Sequence, residues 1–206
     1  MIAEDMTSCT VAGAILAGGN AQRIGGISKG TLRVDADVSI VERLIRELRS
    51  AGMSEVVIIA NNRKPYLDYG VEIIGDIRTG IGPMGGVESG LVHLAGRSDA
   101  VMFVPCDLPN ITAGELLTLK NSFAGSRAPA VFAKTSEFSW HPLCAVADIG
   151  LAGAVSGAID RGERKIRNVW KQVGAVGVRL PDENAFFNIN SGADMEKWRR
   201  AKSLSA

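Results

Sequence analysis

Across 206 residues, 23 lysines and arginines stand against 22 aspartates and glutamates; with a net charge of +1 there is no global field to hold nucleic acid or an anionic membrane, and any phosphate binding has to be local. The 46% of hydrophobic residues suffices for the core of one ordinary α/β domain spanning 1–206, and no segment approaches the roughly 18 apolar residues of a membrane span. Cys9, Cys106 and Cys144 are odd in number and far apart, and Glu4 and Asp5 precede only a short apolar run, so the expectation is a cytoplasmic protein with reduced thiols and no signal peptide.

Residues 11–16, VAGAIL, form an apolar run ending at Gly18-Gly19, which predicts a strand buried on both faces of a parallel sheet. The glycine-rich stretch ILAGGNAQRIGGISKG (15–30) follows, carrying Arg23 and Lys29. SIVERLIRELRSAG (39–52) sets Val41, Leu44, Ile45 and Leu48 on one helical face, with Gly52 placed as a C-terminal cap. Further buried strands are predicted over 55–61 (EVVIIAN), 71–76 (VEIIGD) and 100–107 (AVMFVPCD), each closing on a polar or acidic residue. GGVESGLVHLA and TAGELLTLKNSF read as helices between and after them. Strand and helix alternate, so the fold class is α/β with a mainly parallel sheet. Beyond residue 128, PAVFAKT and HPLCAVA read as strands, and GLAGAVSGAIDRG, ERKIRNVW and GADMEKWRRAKSL as helices. No repeat or low-complexity linker marks a domain boundary.

In open α/β sheets, ligands sit outside the carboxyl ends of the strands. Gly18-Gly19, Asn61-Asn62, Asp76 and Asp107 would all fall along that edge. Without β-carbons, Gly18 and Gly19 let main-chain N–H groups approach a ligand's oxygens. Arg23 adds a planar fork and Lys29 a mobile point charge, a combination suited to a polyphosphate. A surface loop with two solvated cations is the alternative; the buried strand just ahead favours the anion site. It is not a Walker A loop, because Ser28-Lys29-Gly30 stands where Gly-Lys-Ser/Thr is required. Asp107, in VPCDLP between Pro105 and Pro109, would repel phosphates unless a cation lay between, so it reads as a Mg²⁺ ligand, with an N-cap or loop aspartate as the alternative.

A competing pattern is Gly80, Gly82 and Gly85, which spell G-x-G-x-x-G with Asp107 near the offset of a ribose-binding acid. Alone it would suggest an NAD(P)-dependent oxidoreductase. The spacer DIRT before the first glycine and Pro83, which lacks a donor amide, count against it.

Taken together, the motifs resemble the MobA family of molybdenum cofactor guanylyltransferases. LAGGNAQRIGGISKG is similar to the family's LAGG-x3-RMGG-x-DKG, GPMGG to GPLAG, and VPCDLP to PCD-x-P; HPLCAV, GERKIRNVW and FFNINSGADMEKW resemble its later HPL-x-AL, GERR-V and F-x-NVNTPEDL segments. The resemblance implies a three-layer Rossmann-like nucleotidyltransferase fold with a mostly parallel central sheet. It implies transfer of GMP from GTP to the terminal phosphate of molybdopterin with Mg²⁺, and other proteins of molybdenum cofactor biosynthesis as partners. By position, Leu16, Ala17, Gly18 and Gly19 match the nucleotide-contacting main chain, Lys29 the phosphate lysine, Asp76 the nucleotide aspartate and Asp107 the metal aspartate, with Arg23 beside them. Asn61 and Asn62 share the nucleotide asparagine, since IANNR aligns with the family's NANR in more than one way. Asn188 and Asn190 match late asparagines placed near the acceptor, and Arg164 lies in a basic cluster with Arg161, Lys165 and Arg167 that either receives the acceptor's phosphate or is an exposed helix face. Ile24 for methionine, Ser28 for aspartate, Gly85 for alanine and Ser191-Gly192-Ala193-Asp194 for TPED are departures that bear on base and acceptor selectivity. A cytidylyltransferase and a non-catalytic nucleotide-binding module remain as alternative readings on the same fold. His141 either touches the acceptor or is packed, and Trp140, Trp170 and Trp198 either stack on a pterin or fill the core, the core being preferred.

Overall fold

The computed structural model describes residues 9–18, 23–24, 27–35 and 38–203. In chain order its elements are β1 (Val11–Leu16), the short strands β2 (Arg23–Ile24), β3 (Ile27–Ser28), β4 (Arg33–Asp35) and β5 (Val38–Ser39), then α1 (Ile40–Ser50), β6 (Val56–Ile59), β7 (Glu72–Ile74), α2 (Pro83–His93), β8 (Ala100–Pro105), α3 (Ala113–Ala124), β9 (Ala130–Lys134), β10 (Trp140–Asp148), α4 (Ala152–Asp160), α5 (Ile166–Val173), β11 (Val176–Arg179) and α6 (Gly192–Ser203). Seven of these strands pair in the order β11-β9-β10-β8-β1-β6-β7. Within the sheet only β10 runs antiparallel to its neighbours. The carboxyl ends of β7, β6, β1 and β8 therefore share one edge.

Helices cover both faces of the sheet, giving three layers. On one face Ile40, Leu44 and Leu48 of α1, Leu116 and Leu119 of α3 and Trp198 of α6 pack with Val11 and Ile15 of β1. On the other, Met84, Val87 and Leu91 of α2, Val155 of α4 and Val169 and Trp170 of α5 pack with Ala12, Ala14 and Leu16. This alternation along β1 is the period of two expected of a strand buried on both sides. α1 starts with a capping box in which Ser39 Oγ accepts from the Glu42 amide and the Glu42 carboxylate accepts from the Ser39 amide. It ends as predicted, with Gly52 at φ +82° just beyond the last turn.

Helix α2 is drawn close to the sheet because Gly86 and Gly90 stand on its inner face. A β-carbon on Gly86 would lie 2.9 Å from Leu16 Cδ2, and one on Gly90 would lie 2.7 Å from Phe103 Cε1 and 3.1 Å from Ile59 Cδ1. The close approach brings the helix's first turn to the carboxyl edge, against the ends of β1 and β7. Gly90→Ala is accordingly expected to destabilise the fold by about 1–3 kcal/mol through overpacking, despite alanine's better helix propensity. Urea unfolding reads this directly, and an unchanged midpoint would contradict the packing described. Among the described residues, no helix is long and apolar enough to cross a membrane.

Candidate active site

A cleft of about 630 Å³ opens on the carboxyl edge, lined by Leu16, Ala17 and Gly18 after β1, Asn61 and Asn62 after β6, Asp76 after β7 and Thr79, Gly80 and Gly82 ahead of α2. Tyr66, Ser28, Pro105 and Leu143 are also part of its wall. Of the strand-end residues expected from the sequence, Gly18, Asn61, Asn62 and Asp76 line this cleft, while Asp107 lies beyond its wall, two residues after the lining Pro105.

At the β7 end, Asn61 and Asp76 form a reciprocal pair. Asn61 Nδ2 donates to Asp76 Oδ2 at 2.8 Å, and the Asp76 main-chain N–H donates to Asn61 Oδ1 at 2.8 Å. The carboxylate lies over the first turn of α2, where a β-carbon on Gly86 would come 3.7 Å from Asp76 Oδ1; a helix N-terminus favours negative charge there. Gly18 is as close, its missing β-carbon 3.8 Å from Asp76 Oδ2. Burial raises the Asp76 carboxyl above the usual aspartate range, and the bond from Asn61 opposes this.

At the β8 end, Lys29, Asp107 and Asn190 meet. Lys29 opens a 3-10 turn, Lys29–Thr31, closed by Leu32 N–H donating to Lys29 O at 3.0 Å. Gly30 lets that turn seat on α1, since a β-carbon there would lie 2.5 Å from Val41 Cγ2. The lysine is thereby turned inward and is only 4% exposed. Its Nζ donates to Asn190 Oδ1 at 2.7 Å and lies 4.0 Å from Asp107 Oδ2. Burial raises the Asp107 carboxyl above the usual range, and the Lys29 charge pulls it back. Two main-chain bonds fix this corner: Cys106 N–H to Leu16 O at 3.1 Å and Ile189 N–H to Asp107 O at 3.0 Å. Asn190 is held by its own N–H bond to Asp194 Oδ2 at 3.1 Å, part of the Ser191–Asp194 cap at the start of α6. Ser28 and Pro105 on the cleft wall are one and two residues from Lys29 and Asp107, so this corner adjoins the cleft.

The other candidate residues sit apart. Gly19 and the side chain of Arg23 lie outside the described residues. Asn188 is exposed, ahead of the buried Ile189. Arg164 lies on the α4–α5 turn, where Nη1 donates to Glu163 O at 2.7 Å and Ile159 O at 3.2 Å, and Arg167 stacks 4.2 Å above the Trp140 ring. His141 is packed: its ring lies on Phe186 with centroids 4.1 Å apart, and burial holds its pKa below the ordinary imidazole value. Trp170 and Trp198 are core residues. Sequence reading did not select Tyr66, Thr79 or Leu143 for the cleft. Gly80 and Gly82 carried a signal, the G-x-G-x-x-G spacing, but they line a wall beside Asp76 instead of following a strand directly.

Parallel strands that bring Gly18, a carboxylate–amide pair and Asp107 to one edge, with Lys29 set against Asp107, are the framework of a nucleotidyltransferase, and the comparisons agree. Residues 13–176 match the family described as "MobA-like NTP transferase domain", and the chain belongs to it. A relative from Pseudomonas fluorescens, named "Molybdenum cofactor guanylyltransferase", is 33% identical over 86% of this chain and 88% of its own. One of the same name from Serratia proteamaculans is 32% identical over 95% of this chain and 97% of its own. Among solved structures, the molybdopterin-guanine dinucleotide biosynthesis protein A of Archaeoglobus fulgidus superposes with a TM-score of 0.74 at 22% identity, over 94% of this chain and 99% of that one. Family and fold favour nucleotidyl transfer over the dehydrogenase reading.

Proposed function

We infer that the protein transfers GMP from GTP to the terminal phosphate of molybdopterin, releasing pyrophosphate. The observation that carries this is the setting of the cleft: a carboxylate–amide pair in its wall, and a buried lysine facing a carboxylate in the corner next to its lining residues Ser28 and Pro105. Guanine presents N1–H and a 2-amino group on one edge, two donors matched to the carboxylate of Asp76. Asn61 is committed to orienting Asp76, which leaves Asn62 to meet the nucleotide. Leu16, Ala17 and Gly18 supply main-chain groups along its length.

The acceptor's phosphate oxygen is ionised at neutral pH and needs no protein base. It forms a new P–O bond at the α-phosphorus, the bond to the β-bridging oxygen breaks, and its electron pair departs with pyrophosphate. Catalysis then consists of positioning and charge stabilisation. Lys29, aimed by Asn190, supplies a positive charge to the phosphates, with Arg23 assigned beside it, and Asn188 and Arg164 are assigned to the acceptor side.

Asp107 belongs to no larger ligand cluster, since among the described residues no three His, Cys, Asp or Glu side chains gather into a metal-binding group. That donor set suits Mg²⁺, which keeps several waters and is held by one or two carboxylates together with substrate phosphates. When bound there, Mg²⁺ would neutralise charge at the reacting phosphates. The three free cysteines suit a cytoplasmic enzyme.

The test is a panel of GTP, CTP, ATP and NAD scored by Mg²⁺-dependent thermal stabilisation, followed by pyrophosphate release with molybdopterin. GTP alone should both stabilise and turn over; CTP doing so would reassign the base. Asp76→Asn should weaken GTP binding by about 1–3 kcal/mol, the worth of a bidentate base contact. Because burial raises the Asp76 pKa, acidification should protonate it, and weaken GTP binding, at a higher pH than for an ordinary aspartate; Asp76→Asn should remove that acid limb from the binding curve.

A further inference from the structure

The cleft wall between β7 and α2 is held from outside by an ion pair that the reaction itself does not use. Glu88, in the middle of α2, is 1% exposed. Its Oε1 accepts from Ser156 Oγ at 2.7 Å and faces Arg78 Nε at 3.2 Å, while its Oε2 has no hydrogen-bond partner among the described residues. Arg78 also pairs through Nη1 with Asp160 at the end of α4. Such a pair contributes little net stability, because burial of Glu88 costs nearly what Arg78 returns; the best-attested use of a buried pair is to fix register.

The register fixed here is that of a glycine-rich wall. Ile77 N–H donates to Ser89 Oγ at 2.7 Å, and the Arg78 carbonyl presses onto α2 where a β-carbon on Gly85 would lie 2.8 Å away. The next residues, Thr79, Gly80 and Gly82, line the cleft beside Asp76. Gly80 and Gly82 sit at φ +77° and +73°, so this stretch has little stiffness of its own.

We propose that Arg78, through Glu88 and Asp160, is a positioning residue that sets the nucleobase wall of the cleft and thereby governs which base is accepted. This rests on the guanylyl-transfer reading above. Lys29 and Asp107 are not part of this wall, so the pair acts on nucleotide affinity and base choice and leaves the transfer step alone.

The test measures kcat and KM for GTP and ATP with molybdopterin as acceptor. Arg78→Ala should raise KM for GTP by about tenfold and lower the GTP-over-ATP ratio of kcat/KM, with kcat within about twofold. Arg78→Lys, which keeps a charge for Glu88 but loses the fork, should recover part of both. The double variant R78M/E88L replaces the pair by apolar groups of similar size and should keep or raise the thermal midpoint while its KM and base preference stay altered. If that folded double variant matches the wild type in KM and in base preference, the proposal is overturned, and it decides the matter even if Arg78→Ala does not fold. A fall in kcat with KM unchanged would also overturn it. A wild-type protein that binds GTP yet transfers no GMP would instead remove the reading on which the proposal rests.

Discussion

Asp107→Asn is expected to lower guanylyl transfer by about 10²- to 10³-fold while leaving the fold intact, the scale seen when one preorganised charge-stabilising group is lost. Asparagine keeps the size of the side chain and an oxygen toward Lys29, so the corner formed by the Cys106 and Ile189 main-chain bonds has no reason to move. What is lost is the anionic charge, 21% exposed at the side chain and 4.0 Å from Lys29. Removing it should also abolish the Mg²⁺ dependence of thermal stabilisation by GTP, measured on the same sample. A variant that keeps near-normal turnover would take the metal assignment away from Asp107.

Lys29→Met should cost both affinity and rate, with kcat/KM down by about 10²-fold or more, because the lysine charge meets the phosphates in the ground state and on the way to products. Methionine retains most of the volume packed beneath the 3-10 turn, which separates the charge from its packing. Asn190→Ala should cost less, about tenfold, the worth of one hydrogen bond to a charged group. In the Lys29→Met background it should cost nothing further, since its oxygen then has no ammonium to hold. A persistent loss in that background, seen as a raised KM for the acceptor, would instead return Asn190 to the acceptor contact that its motif implies.

Buried strands and amphipathic helices were readable because their periods are strong. VAGAIL, EVVIIAN and AVMFVPCD all lie in the central sheet, though β6 and β8 stop at Ile59 and Pro105, leaving Asn61 and Asp107 beyond the strands, where their side chains pair with Asp76 and Lys29. β11, Val176–Arg179, escaped notice because an edge strand with Gly177 and partly exposed side chains has neither a continuous apolar run nor clean alternation. At the carboxyl edge, Gly18, Asn61, Asn62 and Asp76 line the cleft and were announced by glycine and strand ends. Pairings across long sequence separations were not: nothing local in FFNINSG says that Asn190 holds Lys29, or in GVESG that Glu88 meets Arg78. Such pairs are set by topology, which brings turns from distant segments to one edge.

The bond between Lys29 and Asn190 also bears on how the protein is made. The first helix and strand can take shape early in synthesis, but the lysine's partner is added 161 positions later. Until that asparagine clears the ribosomal tunnel, the emerging polypeptide carries a phosphate-attracting amine without the residue that aims it. A nascent chain should therefore acquire competence for its nucleotide late and abruptly, not by degrees.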